Sequence, residues 1–323
     1  MPERIKHYWV NDMNRDSILV LGATGFIGRK LVAALARDGS RVFAISRTAH
    51  LYPPSANVEV FAQPLDDIAL LKTLLPACKM IFHLASDSTP GSTASQPVLE
   101  ANLNLLPTLR LLELLQAFPE IPLVYVSSGG ATYASTMQHP LDETATIEPR
   151  SYYGAGKIAA ENFILAFVRQ HRGTAIVLRP SNVYGPGQPY KRGFGIIPTI
   201  FRNLIDGTAM SIWGDGSTVR DYLHVGDFTR LCSALAGTET FARDFAIYNI
   251  GSGTPTSINE LCALAENVTG IALKRNFAPV RTVDCDRIVL NSSRARIDFG
   301  WSATTPLQQG MQETWQWMKN HGT

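Results

Sequence analysis

A block of charge of one sign is missing from this 323-residue sequence: 29 Lys and Arg stand against 27 Asp and Glu, a net of +2. That balance gives no bulk electrostatic attraction for nucleic acid or a membrane surface, so neither is expected as a partner. No apolar run approaches the roughly 18 residues of a membrane span. Cysteine is scarce, with four residues in all. Cys78, Cys232, Cys262 and Cys285 are widely spaced, with no CxxC pair and no histidine grouping that suggests metal ligation, so no metal is expected. A reducing, cytoplasmic setting fits best. The leading stretch MPERIKHYWVNDMNRD lacks an apolar h-region, and residues 1–16 are expected to be an N-terminal extension. Apolar residues, by contrast, make up 45% of the chain, enough at this length for a large core.

Those apolar residues come in short runs separated by helical patterns: SILVLGA, FIGRKLVAALARDG, RVFAISR, LDDIALLKTLLPAC, KMIFHLAS. Strand and helix alternating at this pitch predict an α/β fold around a doubly wound parallel sheet. The alternation continues through a long helix near 98–117, the strand LVYVSS, a helix after SYYGAGK and the strand AIVLRP. After Asn182 the texture changes to Gly/Pro-rich loops. The expected division is a dinucleotide-binding domain over 17–180, to which 225–250 returns, and a smaller C-terminal α/β lobe from 181–224 and 251–323.

The stretch GATGFIG places Gly22, Gly25 and Gly28 between the first strand and the first helix. Glycines there permit a tight turn and let backbone N–H groups approach a pyrophosphate, and the helix N-terminus favours the anion. The position predicts a Rossmann-type dinucleotide site. The second strand ends in Ser46 and Arg47, with no acidic residue to accept the adenosine ribose hydroxyls. Because Ser46 and Arg47 suit a 2′-phosphate, the sequence leans toward NADP, with NAD the alternative.

In SYYGAGK, Tyr153 and Lys157 are four residues apart and share a face if the helix already includes them; Tyr152 points elsewhere. An ammonium beside the phenol favours its phenolate, the form that acts as a base.

The glycine loop, HLAS at 83–86, VSSGG at 126–130, the Tyr153/Lys157 pair, RPSNVYGPGQ at 179–188 and RDYLHVGD at 220–227, in chain order, resemble the extended short-chain dehydrogenase/reductase family, and within it the NAD-dependent epimerase/dehydratase group. The resemblance covers residues 17–320. It implies that Tyr153 is the catalytic base, that Lys157 lowers its pKa and bonds the nicotinamide ribose, that Phe26 and Ile27 lie against the pyrophosphate, and that Leu84, Ala85 and Ser86 border the cofactor. Ser127, Pro180 and Asn104, the last with Pro107 three residues on and a bend expected there, complete the implied cofactor set. Asp66 is assigned to the adenine side, because Pro64 replaces the family's aspartate.

Gly129 occupies the position matching the family's catalytic Ser/Thr. The contact to the substrate hydroxyl must then come from Ser128, Thr132 or water, with Ser128 favoured, and a serine restored at 129 is expected to be tolerated. Arg220 and Arg281 imply a grip on a diphosphate, and Asn182, Ile196, Ile197 and Trp213 frame the rest of the ligand. The function so implied is a nucleoside diphosphate sugar 4-epimerase, most simply of UDP-hexoses, working through a transient 4-keto sugar as a homodimer. A reductase, decarboxylase or 4,6-dehydratase on the same scaffold, or a non-catalytic dinucleotide sensor, remain the alternatives.

Overall fold

The computed structural model describes residues 15–48, 56–89, 91–136, 140–190, 195–238, 244–280 and 285–321. Most of the expected N-terminal extension therefore lies outside the described residues.

The first strand, β1 (Ser17–Leu21), is buried throughout, as a strand covered on both faces must be. Helix α1 (Phe26–Arg37) follows the glycine turn, and β2 (Arg41–Ser46) and β3 (Val58–Ala62) extend the sheet outward. After α2 (Ile68–Leu74) the chain crosses back and β4 (Cys78–His83) pairs with the other side of β1. The run expected as one long helix is divided. It starts as α3 (Pro97–Glu100), widens into a π-helical turn over Ala101–Leu105, and resumes as α4 (Leu106–Leu115). Pro107, in the first turn of α4, has no N–H to give to a carbonyl one turn back. The π turn absorbs the break, and Thr108 Oγ1 donates to the Asn104 carbonyl at 2.8 Å. Next come β5 (Leu123–Val126), the short α5 (Gly129–Thr132), α6 (Tyr152–His171) and β6 (Ala175–Pro180).

Beyond β6 the chain builds a second, smaller layer. There, β7 (Asn182–Tyr184) pairs with β9 (Val219–His224), which also pairs with β11 (Pro255–Ser257) and β13 (Arg287–Ile288). A two-stranded ribbon joins β8 (Met210–Trp213) to β12 (Arg275–Ala278). Between these pieces α8 (Val225–Ala236) and β10 (Phe245–Ile250) return to the large sheet, β10 forming its edge beside β6.

The seven strands run β10-β6-β5-β4-β1-β2-β3, every pairing parallel. This is the doubly wound, Rossmann-type sheet the alternation predicts. Successive residues of a strand face opposite sides. Ile18 and Val20 pack with Leu31 and Leu35 of α1 and Phe228 and Leu231 of α8. Leu19 and Leu21 pack with Leu71 of α2, Leu111 of α4 and Ile164 and Phe167 of α6. The smaller lobe has its own core, with Ile200 and Phe201 of α7 (Ile196–Asp206), Leu261 of α9 (Ile258–Thr269) and Met311 and Trp315 of α11 (Leu307–His321). Trp301, beyond α10 (Ser293–Phe299), is buried and donates its indole N–H to the Asp227 carbonyl at 3.0 Å.

Strand order reverses between β1 and β4. Loops at the carboxyl ends of those two strands diverge there and leave a crevice in which doubly wound sheets take ligands.

Candidate active site

The Gly22 loop lies at that crevice, held by its backbone. Gly22 and Ala23 both donate to the Ile45 carbonyl at 3.2 Å, and Leu84 N donates to the Leu21 carbonyl. Gly22 has φ +83°, and a Cβ on it would stand 2.6 Å from Ala85 N; one on Gly28 would stand 2.2 Å from the Gly22 carbonyl oxygen. Only glycines let the turn, the β4 loop and α1 close together. Gly25 is the N-cap of α1 and makes no side-chain cap, so the first N–H groups of the helix are available to an anion. These features fit the pyrophosphate of a dinucleotide, with Phe26 and Ile27 in the first turn beside it.

Ser151 explains where α6 begins: its hydroxyl accepts from Gly154 N at 3.1 Å, so the helix includes both tyrosines from its first turn. Tyr152 is exposed. Tyr153 and Lys157 share the inward face, with Lys157 Nζ 5.7 Å from the Tyr153 ring centre, 5.0 Å from that of Tyr125, and donating to the Val126 carbonyl at 3.0 Å. Gly154 lets α6 pack closely on α5, because a Cβ there would come 2.2 Å from the Ala131 carbonyl oxygen.

The Ser128 and Ser86 hydroxyls lie near the Tyr153 phenol. Burial is the largest influence on it, pushing its pKa up to about 12; the two serines pull it down and the Glu100 carboxylate pushes it up. Lys157 lies under the ring rather than at its oxygen, and burial drives the lysine itself down to about 8, opposed by Glu100 and Glu161.

Ser128 reaches Tyr153, but its neighbours do other work. The Ser127 hydroxyl is buried and donates to Glu161, which forms a buried ion pair with Arg179 at 2.5 Å. Arg179 also donates to Tyr133 at 2.9 Å, and Tyr133 to Asn249 at 2.6 Å. Ser127 therefore supports the floor of the site. Gly129 is packed away from Tyr153: a Cβ on it would stand 2.5 Å from Leu290 Cδ1 and 3.1 Å from the Arg179 carbonyl oxygen. A serine there would have to displace the end of the Leu290 side chain and press on the Arg179 carbonyl.

Three cofactor-side residues are otherwise engaged. Ser46 donates to the Thr48 carbonyl at 2.6 Å, Arg47 pairs with Asp87 at 2.8 Å, and Asp66 pairs with Arg110 of α4. Asn104 clasps the loop after β4, accepting from Asp87 N at 2.8 Å and donating to Ser88 Oγ and Glu100 Oε1, both at 2.7 Å. Pro180 is buried at the end of β6.

On the substrate side, Asn182 is exposed and donates to the Asp221 carbonyl at 3.0 Å. Its Oδ1 would lie 3.9 Å from a Cβ on Gly130, on the same side as the α5 turn. Arg220 donates to its neighbour, the Val219 carbonyl, at 2.9 Å. Ile197 belongs to the core of the lobe, Ile196 is half-buried and Trp213 is exposed on β8. Arg281 lies outside the described residues.

Sequence reading missed Ser86 as a partner of Tyr153, and it missed Glu100, His83 and the Glu161–Arg179 pair. His83 Nε2 meets Thr108 Oγ1 at 3.0 Å, and burial, with Lys157 adding to it, pushes the ring down to about 3. Only for Glu161 was there a local signal, its i,i+4 spacing from Lys157 on one helix.

A model of the NAD dependent epimerase/dehydratase family matches residues 18–251. The chain belongs to that family. Among its relatives, UDP-glucose 4-epimerase of Mycolicibacterium smegmatis is 32% identical over 314 residues, covering 94% of this chain and 98% of that one. The solved UDP-glucose 4-epimerase of Thermotoga maritima with UDP-glucose superposes with a TM-score of 0.87 at 28% identity, covering 95% of this chain and all of that one. The UDP-glucose 4-epimerase of Thermus thermophilus in complex with NAD gives 0.85 at 26% identity, covering 94% and 99%. Within the epimerase/dehydratase family, then, the likeness runs the length of the fold and includes both lobes.

Proposed function

We propose that this protein is a nucleoside diphosphate hexose 4-epimerase acting on UDP-sugars with a bound nicotinamide dinucleotide. The observation that carries it is the Tyr153–Lys157 pair on the inward face of α6, Lys157 Nζ 5.7 Å from the Tyr153 ring centre, in a chain that UDP-glucose 4-epimerases match along almost its whole length.

The dinucleotide would be held by the Gly22–Gly28 turn, the first turn of α1 and the Leu84–Ser86 segment. When bound, its nicotinamide supplies reversible oxidation at the sugar carbon. Tyr153 Oη takes the proton of the C4 hydroxyl and later returns it, a role typically worth 10² to 10⁴ in rate. Ser128 orients that hydroxyl and shares its proton. Lys157 places positive charge beneath the phenol. Epimerisation also requires the 4-keto sugar to turn over between the two proton transfers. A hexose held through its diphosphate, facing the small Gly130 and the Asn182 side chain, has room to do so. An acid and a base for eliminating water are needed in a dehydratase, and Gly130 and Ala131 supply neither where the family places them.

For the cofactor we favour NAD. The Ser46 hydroxyl is spent on a carbonyl and Arg47 is paired with Asp87, so a 2′-phosphate would meet a carboxylate instead of a free guanidinium. Asp87 thereby brings from the β4 loop the acidic group that β2 lacks. The enzyme is further proposed to be a homodimer through α3, α4 and α6.

Purified protein incubated with UDP-glucose or UDP-galactose, without added coenzyme, is expected to yield the same mixture of both, read by NMR at C4. Retention of C4 configuration in every UDP-hexose and UDP-hexuronate tried overturns the assignment.

A further inference from the structure

Glu100 is the one charge beside Tyr153 and Lys157 that the proposed reaction leaves without a task. Its carboxylate is only 3% exposed. Oε2 accepts from Thr93 Oγ1 and Oε1 from Asn104 Nδ2, each at 2.7 Å. Gly156, the residue immediately before Lys157, lies against it: a Cβ at 156 would stand 3.2 Å from Oε1 and 3.4 Å from Cγ. The second glycine of SYYGAGK therefore marks where α6 makes room for a carboxylate.

Several titratable groups face the Tyr153–Lys157 pair. They are Glu100 from α3, Glu161 from α6 itself, His83 from β4 and Tyr125 from β5. Burial keeps His83 and Tyr125 neutral at ordinary pH, because the first is pushed down to about 3 and the second is raised. Glu161 is neutralised by Arg179, which holds it with two donors. Glu100 differs from Glu161 in that its hydrogen-bond partners, Thr93 and Asn104, are both neutral. A carboxylate removed from water without a cation of its own interacts strongly with the nearest charge that can answer it, and Lys157 is that charge.

We propose that Glu100 is a positioning residue of this site, acting through space to hold Lys157 as the ammonium and Tyr153 as the phenol. The consequence is directional. Glu100 raises the affinity of the pair for a proton, making it a better proton acceptor and a poorer donor than burial and the two serines alone would, and so favours the half-reaction in which the sugar hydroxyl gives up its proton. The same carboxylate is tied through Asn104 to the segment that carries Ser86 and Asp87, so the loop bordering the cofactor and the charge behind the acid–base pair are fixed together.

This inference rests on the acid–base role given to Tyr153 and Lys157, but its test does not depend on turnover. Lysine labelled with ¹³C at Cε is titrated by NMR in the intact protein, and the Lys157 resonance is identified as the one lost in Lys157→Met. Its midpoint, about 8 in the native chain, is expected to fall by about one pH unit in Glu100→Gln, which keeps the size and one acceptor oxygen but removes the charge. If Glu100→Gln does not fold, Glu100→Asp, with the charge drawn back by one methylene, is expected to shift it the same way by less. A midpoint unmoved in the folded variant overturns the proposal, even if activity falls, because a purely structural role lowers kcat without moving it. A midpoint that moves in a protein inactive on every UDP-sugar keeps the role of Glu100 and rejects the substrate.

Discussion

Tyr153, Ser128 and Gly129 each make a separable prediction at the scale of single side chains. Tyr153→Phe removes the proton carrier and is expected to cut kcat by 10² to 10⁴ or more while the dissociation constant for NAD stays within a few-fold, since the phenyl ring keeps its packing; comparable turnover rejects the assignment. Ser128→Ala removes one of two hydroxyls from the phenol and is expected to cost about tenfold in kcat, the equivalent of about 1.4 kcal/mol of transition-state stabilisation. Gly129→Ser has the opposite character from what the sequence suggests. Its Cβ would press on Leu290 and the Arg179 carbonyl, so about 1–3 kcal/mol of stability is lost to overpacking and no rate is gained. Chemical denaturation separates that loss from a catalytic effect. For the cofactor, NAD is expected to bind more tightly than NADP, and Asp87→Asn, by freeing Arg47, is expected to narrow the gap; calorimetric titration with both dinucleotides reads it.

Strands and helices set the next scale. The floor of the site is a polar seam joining α6, β5, β6 and β10 through Ser127, Glu161, Arg179, Tyr133 and Asn249. A buried ion pair adds little over apolar packing, but losing one partner strands the other. Arg179→Met is therefore expected to destabilise by about 3–5 kcal/mol, visible as an early unfolding midpoint in urea. His83 makes the same layer acid-sensitive. Its folded pKa, about 3, lies below its unfolded value near 6.5, so the unfolded chain binds the proton more readily. The contribution to stability is complete above pH 6.5 and is lost as pH falls toward 3. His83→Phe is expected to flatten that part of the stability profile.

On the scale of the whole molecule, the exposed apolar residues of one surface cluster on the helices that cover one face of the sheet. Val98 is 71% exposed and Phe163 49%, with Leu99, Leu106 and Tyr152 nearby in the same helices. Leu112 and Phe167 of the same helices are buried, and Leu105 and Leu109 pack against the sheet face. A patch of this kind is costly to leave in water, which supports a dimer in which these helices meet their copies. Wild-type protein is expected to sediment as a dimer at micromolar concentration, and Val98→Asp with Phe163→Asp as a monomer. A wild type that is monomeric throughout rejects this surface as the interface.

The sequence by itself determined whatever depends on neighbours along the chain. Alternation of short apolar runs with helical patterns required a parallel sheet covered on both faces, the glycine triplet required a tight strand-to-helix turn, and four-residue spacing placed Tyr153 and Lys157 together on α6. Tertiary structure alone decided which groups stand opposite them. Ser86, Glu100 and Asp87 reach the site from the β4–α4 region because β4 crosses back beside β1, and Gly129 turns toward Leu290 because a segment from the smaller lobe packs beneath it. The burial and the Glu100 charge that push the Tyr153 phenol up come from tertiary structure too. Local spacing fixes which side chains share a face; the dielectric and the charges they meet come from parts of the chain brought near only by folding.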